Sequence, residues 1–516
     1  MSERPVVPLL ALLAFCAFGF FAFPGHTYLQ QDSQIYLPMM EHIADPSVLG
    51  NDLIATHPHL SFTLYDEIAT GWKRITGSDM HSILVAQQLL TRLLGIVGIF
   101  LLARSAGLPY AGATLVAGVF SLGATILGPS VLTFEYEPTP RAFALPVVLF
   151  AAGLASREKW GVAGAAAMCA LLYHPPTAAP VVGLLVLYQF LPQHSSRRAF
   201  LPWIAGAGAL LIVGAKLQAG VRLEQNFWAS VSPDVEQLQR MRAAYVYVGS
   251  WIGRFWTYYL LLLVTALAAW WRVRRDLTPL TRWLLAAMPV LGVSSLAVSY
   301  VLLDVWKWGL IPQYQPARVV LFTTLAAIVA PAIASARAPR VLEAIAWLLI
   351  PFAVILRVLP LQSIELAAGV LIVGLAIACA VSLRWPLASL TPAAVIVAAM
   401  FLIPGWGGVK NYPALHNQEL EELSAWARQS TPKESVFHFA DAGKDLAPGI
   451  FRARALRAVW VDWKGGGQVN FMEPLAREWW RRWNGGPVVA EFDVRKKGCA
   501  GPVFKNAKFC VEPRQR

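Results

Sequence analysis

Residues 83–103 of the chain read ILVAQQLLTRLLGIVGIFLLA, an uninterrupted apolar run in which Arg92 is the only charged side chain. A helix of about 20 apolar residues is long enough to cross the hydrocarbon core of a membrane, which is roughly 30 Å thick. The run lacks the alternation of a barrel strand, and unpaired backbone cannot face lipid. We therefore predict a membrane-spanning helix here.

Similar runs recur up to residue 404. The chain is 57% hydrophobic and 14% charged, which is about half the charge of an ordinary soluble protein. A net charge of +13 would favour a nucleic-acid partner in a soluble protein, but here we expect none, because the basic residues lie between apolar runs. We predict an α-helical polytopic membrane protein with about 13 spans, at residues 6–23, 83–103, 110–127, 142–155, 161–173, 178–191, 201–217, 255–271, 283–303, 319–335, 341–356, 364–383 and 389–404.

The connections between the spans differ in charge. Alternate connections are short and basic, and they carry Arg104, Arg157, Lys159, Arg197, Arg198, Arg272, Arg274, Arg275, Arg282, Arg337, Arg340 and Arg384. The others are longer and richer in acids and aromatics, at residues 24–82, 128–141, 218–254 and 304–318. Because basic loops stay in the cytoplasm, we predict a cytoplasmic N-terminus and these four loops outside. A signal peptide at residues 6–23 is an alternative that leaves the following loop outside.

Residues 405–516 have ordinary charge density and no further apolar span. Their pattern predicts helices at 419–429 and 474–483 and strands at 435–439, 458–463 and 488–492. We therefore expect residues 1–404 to form the bundle and residues 405–516 to form a small extracytoplasmic α/β domain. Cys499 and Cys510 would lie on the side where disulfides persist, as a disulfide or as two separate thiols.

Acidic residues stand out in two outer loops. Residues 26–38 read HTYLQQDSQIYLP and place Asp32 just beyond the first span, where the alternative role is a helix N-cap. Asp45 and Asp52 of the same loop fit turn chemistry. Residues 133–143 read TFEYEPTPRAF and bring Glu135, Glu137 and Arg141 together before a span; acids at a helix N-terminus are also favoured by the dipole.

Basic residues inside or beside the spans are the second set of candidates. Arg92 costs roughly 3 kcal/mol in a membrane helix, so it should face the bundle interior and have an anionic partner. For Lys307 and Arg318 the alternative to a functional role is snorkelling at the interface. His174 lies in the Tyr-His-Pro-Pro break between two spans, and the alternative is that it caps a broken helix.

This arrangement resembles the GT-C superfamily of membrane glycosyltransferases, in its multi-span bundle, its early first-loop acid and its outer C-terminal domain. The resemblance places a catalytic acid at Asp32 and fits Glu135 and Glu137 to the paired acids of some members. Residues 455–466, ALRAVWVDWKGG, and residues 478–483, EWWRRW, are similar to outer domains of bacterial GT-C-like proteins. The chain lacks a tandem acid at residue 32 and the WWDYG motif, which disfavours peptide glycosylation.

The resemblance implies an enzyme of the bacterial inner membrane with a periplasmic C-terminal domain. It would make an inverting transfer of a hexosyl or pentosyl unit from a polyprenyl-phosphate donor to a glycan, lipid or protein acceptor among membrane lipids. Asp32 would be the base. The basic set for the lipid phosphate is Arg92, Arg141, His174, Lys307 and Arg318. Mg²⁺ or Mn²⁺, which many GT-C enzymes do without, would bind Asp32, Glu135 and Glu137.

Two other functions fit the same composition. A transporter or flippase of a lipid-linked or anionic substrate would also bury charges between spans, but inverted repeats and matching broken helices are not evident in the sequence. A non-catalytic scaffold or sensor would use the outer domain to bind a partner. Release of lipid phosphate from a sugar donor would distinguish an enzyme from both.

Overall fold

The computed structural model of the protein describes residues 6–57, 63–191, 196–217, 228–356, 365–384, 391–401, 417–471, 473–496 and 498–514. Up to residue 401 these residues are mostly helical. The helices are α1 (Val6–Phe21), α2 (Ser33–Ala44), α3 (Tyr65–Thr76), α4 (Met80–Ser105), α5 (Tyr110–Ser121), α6 (Pro140–Ser156), α7 (Trp160–Tyr173), α8 (Pro175–Gln189), α9 (Leu201–Leu217), α10 (Pro233–Ala243), α11 (Gly253–Val273), α12 (Pro279–Ser299), α13 (Ile311–Tyr314), α14 (Leu321–Arg337), α15 (Val341–Leu356), α16 (Glu365–Ser382) and α17 (Thr391–Phe401).

The predicted α-helical polytopic fold is confirmed. Within the described ranges, five helical stretches are long and apolar enough to cross a membrane: Met80–Ser105, Arg198–Leu217, Gly253–Asp276, Pro279–Val305 and Ile311–Arg337. Shorter apolar helices accompany them, and each predicted span overlaps a helix of the structure. Residue 364 of the predicted span 364–383 and residues 389–390 and 402–404 of the last predicted span lie outside the described residues.

Helices α4 and α6 pack closely because glycines face each other where they cross. A Cβ atom on Gly98 would lie 2.5 Å from the carbonyl oxygen of Leu149, and one on Gly153 would overlap the backbone of Gly98. Small residues allow such approach between membrane helices. The contact holds the C-terminal halves of α4 and α6 together.

The C-terminal part folds as a small α/β domain, as predicted. A short pair of strands, β1 (Thr125–Ile126) and β2 (Val131–Leu132), lies in the loop before α6. The elements of the domain are α18 (Gln418–Ser430), α19 (Ala447–Ala455), α20 (Glu473–Trp483), β3 (Val436–Phe439), β4 (Ala458–Val459), β5 (Phe492–Arg495), β6 (Phe504–Lys505) and β7 (Cys510–Pro513). The sheet has the order β4-β3-β5-β7-β6, in which β3 pairs in parallel with β4 and β5, whereas β7 is antiparallel to β5 and β6. The predicted strand at 488–492 overlaps β5 only at Phe492.

A disulfide joins Cys499 and Cys510, with Cα atoms 6.2 Å apart. The structure thus selects the first of the two alternatives left open by the sequence. The bridge ties the segment before β6 to the start of β7.

The first outer loop and the C-terminal domain share one hydrophobic core. Leu29 and Ile35, at the start of α2, belong to the same buried cluster as Phe437 and Phe451 of the domain. Gly449 in α19 lies directly against the side chain of Gln34. This packing brings the domain onto the segment that carries Asp32.

Candidate active site

Asp32 lies at the N-terminal cap position of α2, but its side chain makes no capping hydrogen bond. Its Oδ2 accepts from Nη2 of Arg141 at 2.9 Å, and its Oδ1 accepts from Nζ of Lys464 at 2.7 Å. Burial alone would raise the pKa of Asp32, but the charges of Lys464 and Arg141 hold that pKa well below its usual range. The carboxylate is therefore ionised and bound on both sides by cations.

Glu137, one of the paired acids of the second loop, binds the backbone around Asp32. Glu137 Oε1 accepts from the backbone N–H groups of Gln30 and Gln31 at 2.5 and 2.6 Å, and its Oε2 accepts from that of Ser33 at 3.0 Å. Burial raises the pKa of Glu137, and these N–H groups oppose the shift. Glu137 thus fixes the backbone on both sides of Asp32.

Glu135 binds Arg141, one of the two cations that bind Asp32. Its Oε1 accepts from Nε of Arg141 at 2.7 Å, so the guanidinium lies between two carboxylates. The side chain of Asp32 is 27% exposed, whereas that of Glu135 is 9% exposed. Asp32 is the most exposed of the three acids in this group.

Asp32, Glu135 and Glu137 do not fit a divalent-metal site in this arrangement. Arg141 separates Asp32 from Glu135, and the oxygens of Glu137 accept backbone N–H groups. Among the described residues, no three His, Cys, Asp or Glu side chains converge in a way that could hold a metal ion. A metal would have to displace Arg141 before these acids met.

Lys464 belongs to the C-terminal domain, and it binds Asp32 although 432 residues separate the two in the sequence. The preceding Asp462 accepts the backbone N–H of Gly465 at 3.0 Å and pairs with Arg452. Arg452 also donates from Nε to Oδ2 of Asp52, in the first outer loop, at 2.7 Å. This triad is almost fully buried, and it joins the loop that carries Asp32 to the segment that carries Lys464.

Asp52 is a turn residue, as its sequence context predicted, since its Oδ1 accepts from the backbone N–H groups of Ile54 and Ala55. Its pairing with Arg452 and the contact of Lys464 with Asp32 were not predicted from the sequence. Lys464 lies in the run ALRAVWVDWKGG at residues 455–466, whose resemblance to GT-C-like outer domains was its one signal.

Arg318 is a further cation of this region that takes no part in the ion pairs around Asp32. No ion pair of Arg318 occurs in the part of the chain that the structure describes, and there its buried Nε has no hydrogen-bond acceptor. Burial and the charge of Asp32 raise the pKa of Tyr36 to about 12, while Arg141 and Arg318 act in the opposite direction. Arg318 and Arg141 therefore both lie within electrostatic reach of Tyr36 and Asp32.

A small crevice between α8 and α14 leads to Arg318. It is lined by His174, Thr177, Tyr314, Arg318 and Phe322, among others. His174 also caps α8, because its ring accepts from the backbone N–H of Thr177 at 3.2 Å. The crevice brings two of the sequence candidates, His174 and Arg318, to one place between these helices.

Arg92 faces the bundle interior, but its expected anionic partner is replaced by three carbonyl oxygens. Its guanidinium donates to the carbonyls of Gly19, Gly25 and Glu135 at 2.7 to 2.8 Å. One turn earlier, Gln88 donates to the carbonyl of Glu135 at 2.9 Å. Arg92 and Gln88 thus hold the end of α1 against the loop before α6.

Lys307 belongs to a different cluster from Asp32. Its Nζ lies 2.8 Å from Glu236, which also pairs with Arg240. Arg240 in turn pairs with Asp304. None of the described contacts of Lys307 reaches the Asp32 group.

The chain resembles a solved structure over almost its whole length. The crystal structure of ArnT from Cupriavidus metallidurans in the apo state shares 13% identity with it, and the match covers 98% of this chain and 96% of that one, with a TM-score of 0.47. No protein-family model matches the sequence, and no curated protein matches it.

Proposed function

We propose that the protein is a GT-C-like membrane glycosyltransferase that moves a sugar from a polyprenyl-phosphate donor to an acceptor at the outer face. The observation that carries this proposal is a partly exposed carboxylate, Asp32, that is bound by Arg141 and Lys464 and lies within electrostatic reach of Arg318. A carboxylate supplies a base, and fixed cations supply a site for a leaving phosphate. Arg318 also lines a crevice among helices that are apolar enough to meet lipid.

In the proposed reaction, the acceptor hydroxyl attacks the anomeric carbon of the donor sugar. The hydroxyl proton passes to Asp32, the new glycosidic bond forms, and the bond from the anomeric carbon to the phosphate oxygen breaks. The phosphate leaves with the bonding electron pair, and the cations stabilise its added charge through charge-assisted hydrogen bonds. The reaction inverts the anomeric centre because attack and departure are in line.

The low pKa of Asp32 implies an order of steps in this scheme, in which the donor binds before the proton is transferred. While Lys464 and Arg141 are both bound to Asp32, the carboxylate is a weak base. A donor phosphate competes for the same cations. When they turn to the phosphate, the burial of Asp32 is no longer offset, and its pKa rises towards the range useful for a general base. Donor binding therefore activates the base.

Asp32→Asn tests the base. The amide keeps the shape of the side chain but cannot accept the proton, so turnover should fall by roughly a hundred- to ten-thousandfold. Purified protein in lipid nanodiscs would be incubated with a panel of polyprenyl-phosphate sugars, and released polyprenyl phosphate would be measured. Asp45→Asn is the matched control, because Asp45 is an exposed turn residue bound to Ser47. Full activity of Asp32→Asn would remove Asp32 from the mechanism.

Arg318→Ala tests the leaving-group site. A hydrogen bond to a charged group contributes roughly 1.5–3 kcal/mol, so affinity for polyprenyl phosphate should fall by about 10- to 150-fold. Lys307→Ala is the control, since Lys307 is paired with Glu236 away from Asp32. Equal affinity in wild type and Arg318→Ala would contradict the proposal. Tight binding of intact donor without release of lipid phosphate from any of the panel would favour the transporter or flippase.

A further inference from the structure

Helix α10 packs one face against the C-terminal domain. Val235, Leu238 and Gln239 are buried along this face, at the spacing of three and four residues that brings side chains together on a helix. Leu238 shares a buried cluster with Val469 of the domain, and Gln239 donates to the carbonyl of Val469 at 3.1 Å. Arg242 lies one turn beyond them, so it extends from the same face towards the domain.

Arg242 binds the peptide unit that joins Trp463 to Lys464. Its Nε and Nη2 donate to the carbonyl oxygen of Trp463 at 3.1 and 2.7 Å. Its guanidinium carbon lies 4.3 Å from the centre of the Trp463 ring, within the range of a cation–π contact. Because a peptide unit is planar, fixing this carbonyl also fixes the backbone nitrogen of Lys464. The backbone that leads into Lys464 is thus held by a helix of the loop between α9 and α11.

The domain itself holds the backbone that follows Lys464. The carboxylate of Asp462 accepts from the backbone N–H of Gly465 at 3.0 Å, and Arg452 fixes that carboxylate by an ion pair. Lys464 therefore extends from a short segment that is bound on both sides, by Arg242 before it and by Asp462 after it.

A lysine side chain needs such support to stay in one place. It has several rotatable bonds, and holding it in a single geometry costs conformational entropy. The amine of Lys464 nevertheless contacts Oδ1 of Asp32 at 2.7 Å and Oε1 of Gln31 at 3.3 Å, and its side chain is only 14% exposed. A backbone that is fixed beforehand leaves only the side chain to be ordered, which favours the contact.

We propose that Arg242 is a positioning residue of the active site, which holds the backbone of Lys464 so that the amine of Lys464 stays against Asp32. Arg242 acts through Lys464 and not by contact with the substrate. The loop between α9 and α11 then contributes to a site whose acid lies far from it in the sequence. This inference rests on the proposed function for the catalytic role of Lys464, but the contact itself can be tested without turnover.

Arg242→Met tests the inference by the reactivity of the Lys464 amine. Protein in lipid nanodiscs would be treated with N-hydroxysulfosuccinimide acetate. Mass spectrometry would follow the acetylation of Lys464 relative to that of Lys496, an exposed lysine bound to Asp445. Since two hydrogen bonds from a charged donor are lost, Lys464 should be acetylated about tenfold faster in Arg242→Met. Asp32→Asn gives the rate for Lys464 without its carboxylate partner.

Arg240→Met is the matched control. Arg240 lies on α10 two residues before Arg242, but it pairs with Glu236 and Asp304. Its loss should leave the acetylation of Lys464 unchanged. Arg242→Lys keeps the charge and one donor, so its rate should fall between those of wild type and Arg242→Met.

Turnover shows whether Arg242 acts through Lys464. Arg242→Met should lower kcat/KM for the release of polyprenyl phosphate by about tenfold in the wild-type background, as its two lost bonds suggest. In Lys464→Met it should lower kcat/KM by less than about twofold, because the two changes remove one function. Arg240→Met should have the same effect in both backgrounds.

Three results would overturn the inference. They are equal acetylation of Lys464 in wild type and Arg242→Met, faster acetylation of Lys464 and Lys496 together with a lower melting temperature, or a full loss of kcat/KM that persists in Lys464→Met. The proposed function fails separately, if wild type releases no lipid phosphate from any donor of the panel. The acetylation rates report on Arg242 in either case.

Discussion

Arg452→Met removes the cation that joins the first outer loop to the C-terminal domain. It leaves the carboxylates of Asp52 and Asp462 buried without their common partner. Breaking a buried ion pair in this way costs about 3–5 kcal/mol. Asp52 keeps three backbone donors, from Ile54, Ala55 and Val459, at 2.9 to 3.0 Å. We therefore expect the lower end of the range, about 3 kcal/mol.

The cost should appear as local opening of the contact between loop and domain. Ala55 is fully buried and packs in one cluster with Leu456 of the domain. A cysteine introduced at Ala55 would react with a thiol reagent only when this contact opens. Since each 1.36 kcal/mol is a factor of ten, Arg452→Met should speed labelling of that cysteine by roughly a hundredfold or more. The background carries Cys169→Ala, because Cys169 is exposed.

Arg477→Met is the matched control. Arg477 pairs with Asp234 and Glu473, but these side chains are between one-third and three-fifths exposed. Such surface pairs contribute about 0–1 kcal/mol, so labelling should change by less than about fivefold. Adding Asp52→Asn to Arg452→Met should cost less than the sum of the two changes, because it neutralises a charge left unpaired. Equal labelling in Arg452→Met and Arg477→Met would refute the role of the triad.

Three further predictions concern orientation, helix packing and the base. In intact cells, a membrane-impermeant thiol reagent should label Ser47→Cys but not Arg157→Cys, because the basic loops are predicted to be cytoplasmic. Gly98→Leu should lower the melting temperature and the yield of folded protein, since even a Cβ at this position would lie 2.5 Å from the backbone of α6. Lys464→Met should move the acid limb of the pH profile of kcat/KM to higher pH. Its loss removes a charge that lowers the pKa of Asp32, and the shift is read from initial rates across pH.

The helices were predictable because each apolar run carries its own signal. The composition of residues 83–103 predicts a span without information from any other part of the chain. The observed helix, Met80–Ser105, is only a few residues longer. The same holds for the amphipathic helix at 418–430, which was predicted from its own spacing. Strands β6 and β7 were missed because runs of two to four residues carry little pattern. The disulfide between Cys499 and Cys510 helps to hold them in place, and it depends on a residue outside both strands.

The partners of the site were less predictable than its acid. Asp32 could be singled out from its place after the first span, but Lys464 meets it from the far end of the sequence. Arg92 was predicted to face inwards, which hydropathy alone requires, yet backbone carbonyls rather than a carboxylate receive it. Carbonyl positions depend on how the loops close, and no residue type in the sequence encodes that closure.

Asp32, Glu135 and Glu137 are suited to different roles because each is bound by a different set of groups in the structure. Glu137 is engaged by backbone N–H groups that no ligand can replace without unfolding the start of α2. Glu135 is nearly buried behind Arg141. Asp32 is bound only by side chains, Arg141 and Lys464, which can turn towards a more strongly charged phosphate. In the proposed reaction, this reversible pairing and partial exposure suit Asp32 to proton transfer, and the proposal then requires the donor to bind before the acceptor is deprotonated.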